Sequence, residues 1–503
     1  MVEENLSLEN EFATSTSLHG LQYISTSKRF IFKLLWALIF LTGFGLCLWQ
    51  ISLRIQEYLL FNVNTEVNLT FVDELEFPAL TICNFNRYRN SYLTGNDPVM
   101  MKYLQDAMDY DYFSESSYSS SYTSSFKYDS NFTDGNFSTS EFTNRTGFQL
   151  NNETILSCKW SRVAVRTYLF LYSILKLWLC INTTFLTLQN FTHLFTSFGN
   201  CFTFNSGKYS DVLKVRQPGA GNALQLMIDI QQDEYTESPN GTIEAGLKIL
   251  VHPQNEPPLI ESKGLAVAPG VHAYVSTRRI EVETLGKPHG NCDKSLRLKN
   301  YEIYTMAGCL LECRHKHIVN ECGCRPIRYP GDEPECTPKE TESCASDVLK
   351  KLKNGVLEEC ECPVPCAHTS FSTSVTYAAI PNLSVENELS SFNGTSAAYF
   401  SKNYILLDVY YEELNLQVFK QTPAMTFSAL LSDIGGQLGL FIGGSVITLF
   451  EVGQYFSMKG LSVCCNTSRC TKSKSHPNSF GVSGPASVDI NGALGNDDIL
   501  QMI

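Results

Sequence analysis

Asp433 and Glu451 stand at the two ends of one apolar run, Ile434-Gly435-Gly436-Gln437-Leu438-Gly439-Leu440-Phe441-Ile442-Gly443-Gly444-Ser445, continuing from Val446 to Phe450. Between Lys420 and Glu451 the only charged residue is Asp433. A carboxylate at each end of a glycine-dense apolar segment suits a path for cations. The acids concentrate positive charge, and small side chains leave backbone carbonyls able to replace an ion's water. Each interior Gly costs a helix roughly 1 kcal/mol relative to Ala. Five of them are kept where close packing or a break in the helix serves a purpose. The plainer reading of the same run is a tightly packed anchor helix.

These carboxylates need a membrane and a scaffold to position them. Between Lys33 and Arg54 lie twenty uncharged residues, including Leu34-Leu35-Trp36-Ala37-Leu38-Ile39-Phe40-Leu41. At about 1.5 Å per residue they cover a hydrocarbon core of about 30 Å. The stretch begins too late, and lacks the small-residue cleavage site, to be a removable signal peptide, so it reads as an uncleaved signal anchor. Lys28, Arg29 and Lys33 precede it, and Lys459, Arg469, Lys472 and Lys474 follow the glycine-dense run. The positive-inside rule then makes both termini cytoplasmic. The expected organisation is a cytoplasmic segment 1–29, a first transmembrane helix 30–53, an extracellular domain 54–424, a second transmembrane helix 425–456 and a cytoplasmic tail 457–503.

An extracellular interval agrees with two further signals. It holds ten Asn-X-Ser/Thr sequons, at Asn68, Asn131, Asn136, Asn144, Asn152, Asn182, Asn190, Asn240, Asn382 and Asn393, a density that suits a glycosylated surface. Fourteen of the eighteen Cys fall between residues 83 and 366, an even number, as a disulfide framework in an oxidising compartment requires. Cys47, Cys464, Cys465 and Cys470 fall in the membrane or on the reducing side and read as free thiols, with palmitoylation of the juxtamembrane ones the alternative.

Ten of the fourteen form one cluster, Cys292, Cys309, Cys313, Cys322, Cys324, Cys336, Cys344, Cys360, Cys362 and Cys366. Cys322-Gly323-Cys324 and Cys360-Glu361-Cys362 do not make paired two-residue knuckles, and no His pair completes a tetrahedral set, so disulfides are favoured over zinc. A helix from Tyr304 to Asn320 places Cys309 and Cys313 one turn apart on one face. A second helix from Cys344 through Leu352, stapled to it, would make a stiff lever. His315 and His317 flank Lys316 on that first helix and read as solvated. No nucleophile-base-orienter set or metal triad appears, so neither an enzyme nor a cofactor is expected. The net charge of −13 argues against nucleic acid and suits a vestibule that attracts cations, or simply a soluble ectodomain.

Six blocks in order carry a family resemblance: Ser17-Leu18-His19-Gly20-Leu21, Phe77-Pro78-Ala79-Leu80-Thr81-Ile82-Cys83-Asn84, Gly199-Asn200-Cys201-Phe202-Thr203-Phe204-Asn205, Asp229-Ile230-Gln231-Gln232-Asp233-Glu234-Tyr235, the cysteine cluster, and Gly443-Gly444-Ser445. The chain resembles the degenerin/epithelial sodium channel superfamily, most closely its acid-sensing branch, over nearly its whole length. The resemblance implies an α+β membrane protein with two transmembrane helices and a disulfide-rich ectodomain of palm, finger, knuckle and thumb (the thumb about 292–366). It would assemble as a trimer, with itself or with related subunits, in the plasma membrane. It also implies disulfides pairing Cys83 with Cys201, Cys292 with Cys366, Cys309 with Cys362, Cys313 with Cys360, Cys322 with Cys344, Cys324 with Cys336, and Cys158 with Cys180.

By the same resemblance, Gly443-Gly444-Ser445 is the selectivity filter of a sodium-preferring channel blocked by amiloride from outside. Asp433 would ring the mouth, Glu451 the inner vestibule, and Ala429 sits where bulky side chains lock degenerins open. His19 and Gly20 match a motif whose loss impairs gating. His289 replaces a thumb-base Trp and faces Phe61, and Leu414-Asn415 keep a linker tied to desensitisation. The acid sensor is mostly missing. Its His pair reads Asn62-Val63, two following acids read Asn68-Leu69, the finger's acidic pair reads Pro239-Asn240, the thumb aspartates read Ser346 and Lys350 with Asp347 a substitute, the palm glutamate is Gln417, and an activating lysine is Gln217. The expectation is a sodium channel opened by an extracellular peptide or partly open at rest. The alternatives are proton gating through other residues and, from another class, a non-conducting bitopic receptor.

Three stretches stand apart. Residues 162–189 look inserted relative to the family and are far more apolar than a sequon-rich loop, which marks either a lineage-specific loop or a translated intron. Ser114 to Thr143 is low complexity and reads as a mobile loop. Pro477 to Ile503 lacks periodicity and reads as disordered.

Overall fold

The structure is a computed structural model that describes residues 8–112, 137–161, 191–237, 243–392 and 397–467. Cys180, Cys470, Asn131, Asn136, Asn182, Asn190, Asn240 and Asn393 lie outside the described residues, as do all of the inserted-looking stretch 162–189 and most of the C-terminal tail. The chain divides into two compact units, one made of Met1–Gln56 with Phe427–Ile503 and one of Glu57–Thr426.

In chain order the elements used below are α1 (Leu8–Ser15), α2 (Leu21–Thr26), α3 (Phe30–Leu59), β1 (Val63–Phe71), β2 (Leu75–Glu76), β3 (Ala79–Asn84), α4 (Asp97–Tyr112), α5 (Thr139–Thr146), β4 (Ile155–Trp160), β5 (Phe191–Thr196), β6 (Gly199–Phe204), β7 (Lys214–Val215), β8 (Leu224–Asp229), β9 (Leu247–His252), β10 (Leu265–Val267), β11 (Val271–Glu283), α6 (Met306–Cys322), α7 (Ser346–Lys353), β12 (Ala367–Ala379), α8 (Leu383–Phe392), α9 (Ala397–Asn403), β13 (Tyr404–Pro423), α10 (Phe427–Ile442) and α11 (Val446–Thr467).

The larger unit holds two principal sheets. One runs β12-β11-β13-β8-β4 with β1 also on β13; the other runs β10-β9-β3-β6-β5. Strands β3, β6 and β9 are buried at every position, so apolar residues fall on both faces of each strand, with buried polar residues such as Asn84, Asn200 and Lys248 among them. Phe77 centres the core, edge-on to Trp160 at 5.0 Å and to Tyr411 at 6.3 Å. Cys83 and Cys201 face each other in register on β3 and β6 and are bonded.

Two strands of this unit continue directly into the apolar helices. β1 follows α3, β13 precedes α10, and the two pair antiparallel from Val63↔Pro423 to Phe71↔Asn415.

The lobe from Cys292 to Cys366 is built on α6 and α7. Thr305 caps α6 by accepting from the Gly308 amide, and Gly323 ends it at φ 68°, the left-handed stop that favours glycine. Five disulfides lock the lobe: Cys292–Cys366, Cys309–Cys362, Cys313–Cys360, Cys322–Cys344 and Cys324–Cys336. With Cys83–Cys201 they are six of the seven pairings the resemblance implies. Cys158 is buried on β4, and its expected partner Cys180 lies outside the described residues. His315 differs from expectation. It is 6% exposed, because the loop after α6 folds back over it.

A second difference concerns the low-complexity stretch. Its end is ordered, since Thr139–Thr146 forms a helix with Phe142 and Thr143 buried. Ser138 accepts from the Glu141 amide, the short-range cap that starts such a helix whatever the composition before it.

In the smaller unit, Phe30–Leu59 is long and apolar enough to cross a membrane. Phe427–Ile442 and Val446–Lys459 pass the same test only together, bent by 70°.

Candidate functional site

The break between α10 and α11 follows from four residues. Gly443 adopts φ +69°, which ends a helix without penalty only in glycine. The Gly443 and Gly444 amides turn back onto the carbonyls of Gly439 at 3.1 Å and Leu438 at 3.0 Å. Ser445 then starts the next helix, its amide donating to Thr448 Oγ1 at 2.8 Å while its Oγ accepts from the Thr448 amide at 3.4 Å. That reciprocal pairing is a capping box with Thr in the role of Glu. Gly-Gly-Ser-x-x-Thr is thus a stop followed by a restart. No hydrogen bond among the described residues claims the Gly443 or Gly444 carbonyl, so two acceptors of the kind that replace a cation's hydration shell stand open.

The N-terminal segment packs onto this break. The His19 amide donates to the Ile442 carbonyl at 2.9 Å, and its ring lies so close to Gly443 that an added Cβ there would overlap it. Gly20, at φ +97°, turns the chain next, and a Cβ there would sit 3.6 Å from the Phe40 ring. The His-Gly pair therefore has two separable jobs: the imidazole covers Gly443 and the glycine reverses the chain.

Glu451 holds the same segment. Its Oε2 accepts from Thr16 Oγ1 and from the Ser17 amide, both at 3.0 Å, and Ser17 Oγ also reaches Thr448 Oγ1. Further along α11, Tyr455 stacks on Phe12 at 4.6 Å and Lys459 pairs with Glu9 at 3.1 Å. Glu451, Tyr455 and Lys459 recur every four residues, so one helix face presents all three. That spacing was open to sequence reasoning, which treated Glu451 alone.

Asp433 lies on α10 with its carboxylate 3.7 Å from Arg54 of α3, both side chains about 40% exposed (42% and 39%). Ala429 is exposed one turn earlier. The glycines of α10 and α3 differ in their surroundings. A Cβ on Gly435 or Gly436 would meet nothing within 4 Å, while Gly43 on α3 lies against α10, where a Cβ would come 3.1 Å from the Phe441 carbonyl.

The remaining expected residues belong to the larger unit. Phe61 adopts φ 51°, packs edge-on to the His289 ring at 5.3 Å, and its carbonyl lies 3.2 Å from His289 Nδ1. Leu414 and Asn415 fall where the β11–β13 ladder jumps from Thr277↔Tyr411 to Arg279↔Leu416, a bulge that loosens the strand leading to α10. Asn415 is 2% exposed, with Oδ1 unpartnered among the described residues. Of the sensor positions, Ser346 is buried and donates to the Ala107 carbonyl at 2.9 Å, and Asp347 pairs with Lys351 at 2.9 Å. Asn68, Asn144, Asn152 and Asn382 are exposed, as glycan acceptors must be.

Residues 12–455 match the family described as amiloride-sensitive sodium channel. The chain belongs to this family. It is 34% identical to acid-sensing ion channel 2 of Mus musculus over 459 residues, covering 88% of the chain and 85% of the relative. It is 30% identical to the bile acid-sensitive ion channel of Mus musculus over 457 residues, covering 89% and 87%, and 31% identical to acid-sensing ion channel 1 of Gallus gallus over 482 residues, covering 93% and 87%. As a member of the amiloride-sensitive sodium channel family it is an ion channel with a disulfide-rich extracellular domain.

Proposed function

We propose that the protein is a trimeric, sodium-selective, amiloride-sensitive channel of the plasma membrane, opened by an extracellular peptide or partly open at rest. Each subunit crosses the bilayer twice with both termini in the cytoplasm. The second span is the bent pair α10–α11, whose break at Gly443-Gly444-Ser445 is the narrowest part of the path. The observation that carries this reading is the interrupted helix with its two unclaimed carbonyls, because non-helical backbone at membrane depth is tolerated where it lines water. Three copies of Asp433 concentrate cations at the mouth. Glu451 has a different emphasis from the vestibule ring: its carboxylate fixes Thr16 and Ser17, and so holds His19 beneath the break.

Acid is an unsuitable opener for this chain because the His pair that would titrate near neutrality is replaced by Asn62-Val63 and the crowded carboxylates by Asn68, Ser346 and Gln417. Proton opening is nonetheless the second reading, favoured by relatives named acid-sensing and by Asp408, a carboxylate 1% exposed whose titration burial pushes up.

Whole-cell recording in oocytes separates the readings. The expected result is a resting or peptide-evoked current that reverses near the sodium potential, moves with sodium replacement and disappears in amiloride. A large inward current on a step to acidic pH would replace the first reading by the second. Surface-expressed protein that passes no current under resting conditions, acid or peptide would leave the non-conducting receptor.

A further inference from the structure

Half-way along α6 a histidine lies against one rung of the disulfide ladder. Cys313, His317 and Cys360 bring two Sγ atoms and a ring nitrogen all within 4.8 Å of one another. Among the described residues this is the one group of three side chains placed to hold a metal ion. His317 follows Cys313 by four residues, so one helix face presents both. The sequence reads His317 as solvated. In the structure it is half-buried, and its ring makes no hydrogen bond or ion pair among the described residues.

The disulfides differ in how far a solute can reach them. Cys83–Cys201 and Cys324–Cys336 are buried at both ends, and Cys366 buries one end of Cys292–Cys366. Cys309–Cys362, Cys313–Cys360 and Cys322–Cys344 are half-buried. Of these, Cys313–Cys360 is the rung with a histidine beside it.

We propose that Cys313–Cys360 is a reversible rung, and that once a small-molecule dithiol opens it the two sulfurs and His317 bind one zinc ion, with the fourth position left to water. One thiolate of the dithiol attacks Cys360 Sγ, in the irregular segment before β12. The S–S bond breaks, and its electron pair leaves on Cys313 Sγ. The second dithiol sulfur then displaces Cys360 from the mixed disulfide. The dithiol ends as a cyclic disulfide, having given two electrons, and the two cysteines take up two protons from water. Zinc displaces those protons, because thiolate is the ligand.

The opened site keeps its shape. Cys309–Cys362 joins the same helix, one turn earlier, to the same segment, two residues later, so the two chains stay together when Cys313–Cys360 opens. The Cys313 and Cys360 Cα atoms are 5.8 Å apart. Rotation about Cα–Cβ can part the sulfurs to roughly 3.8 Å, the separation that tetrahedral Zn–S bonds of about 2.3 Å require. Two thiolates and an imidazole suit zinc better than the harder calcium or magnesium. Glu358, Glu359 and Glu361 are exposed around Cys360 and raise the local concentration of a divalent cation. The site does not depend on how the channel opens.

The full-length protein in nanodiscs, treated with dithiothreitol, desalted under argon and then given zinc ions alone, tests it. Alkylation by N-ethylmaleimide, mapped by peptide mass spectrometry, should reach Cys313 and Cys360 before the other cysteines of the lobe. Zinc should slow it at these two by about ten-fold or more. His317→Gln should need a zinc concentration more than about ten-fold higher for the same protection, since even the outer partners of a metal ligand are worth about 10–100-fold. Zinc retained on the protein, counted by atomic emission, should rise by one ion per subunit on reduction of the wild type. That rise should vanish when Cys313→Ser is combined with Cys360→Ser, a variant that remains informative if His317→Gln folds poorly. Reduction of Cys313 and Cys360 no earlier than Cys309 and Cys362 would overturn the proposal, as would zinc protection that His317→Gln leaves unchanged.

Discussion

Between Cys292 and Cys366 five disulfides hold two helices and a loop, so positions there are fixed by covalent bonds that small changes cannot shift. At the break between α10 and α11 nothing covalent restrains the backbone. Its path depends on one left-handed glycine, one capping box, one histidine ring and one carboxylate. The difference is one of tolerance. A cross-linked lobe spreads the loss of any one contact over many others, whereas a chain stop held by single contacts fails when one is removed. Both designs suit their setting. Under the proposed function the lobe stands outside the cell, where disulfides form, and the break presents bare carbonyls, which any bulkier or better-satisfied backbone would prevent.

The sharpest way to break this comparison is at Gly443. Ala there must adopt a left-handed φ, costing about 1–2 kcal/mol, and its Cβ must displace the His19 ring. Gly443→Ala is expected to remove current by more than about 100-fold, a barrier or stability change of about 3 kcal/mol, with surface expression retained, as measured by oocyte current normalised to surface labelling. Adding His19→Ala should recover part of the loss, because it relieves the overlap but not the backbone strain. Full activity in Gly443→Ala would mean that neither constraint shapes the path.

The lobe should respond in the opposite manner. Removing Cys309–Cys362 with paired serines is expected to cost about 2–4 kcal/mol and lower the unfolding midpoint of the purified protein by several degrees. Ion selectivity, read from the reversal potential, should not change, since Cys313–Cys360 and Cys322–Cys344 still tie α6 to the segments on either side of α7. A shifted reversal potential would show that the lobe's geometry is set less redundantly than its bonds suggest.

Legibility in the sequence divides along the same line. The disulfide lobe and the first apolar helix could be read because cysteine parity and uncharged run length are local and additive signals, while Gly443-Gly444-Ser445 is singled out within its glycine-dense run by the family resemblance. The placement of side chains against one another could not. His315 reads as solvated because a three-residue window of His-Lys-His cannot foresee a loop, itself turned by Gly331, folding over it. Glu451 reads as a vestibule acid because its partners Thr16 and Ser17 lie more than four hundred residues away. The helix after Ser138 was obscured by the low-complexity segment before it, though the Ser-x-x-Glu spacing was present.

Glu451 gives a third, smaller test. Glu451→Gln keeps the shape but weakens the acceptor of the Ser17 amide, and a hydrogen bond to a charged group contributes about 1.5–3 kcal/mol. Exchange of the Ser17 amide should rise by about ten-fold or more while the protection of β3, β6 and β9 stays constant. Unchanged exchange at Ser17 would show that the Phe12–Tyr455 stack and the Glu9–Lys459 pair suffice to hold the segment.

The smallest expected effect lies in the palm-like sheet of the larger unit, at Asp408. Its Oδ2 accepts from the Gly221 amide at 2.9 Å and from Gln225 Nε2 at 3.0 Å, while Oδ1 and the neighbouring His272 Nε2 are both buried and unpartnered among the described residues. Burial pushes the Asp408 carboxyl up, against the pull of Gln225 and Gly221, and pushes the His272 imidazole down, against the pull of Asp408. A carboxyl whose folded titration is raised binds its proton more tightly when folded. The stability it lends is therefore complete below its unfolded value of about 3.9 and is lost as pH rises through the raised folded value. Asp408→Asn imitates the protonated acid and should flatten that part of the curve. Between about pH 4 and 6 the wild-type unfolding midpoint is expected to fall as pH rises, and the fall should be smaller in the variant, by a difference of no more than about 1 kcal/mol. Parallel curves would mean that water reaches Asp408 Oδ1 and solvates the carboxylate, and that the interior of this sheet is less dry than its packing implies.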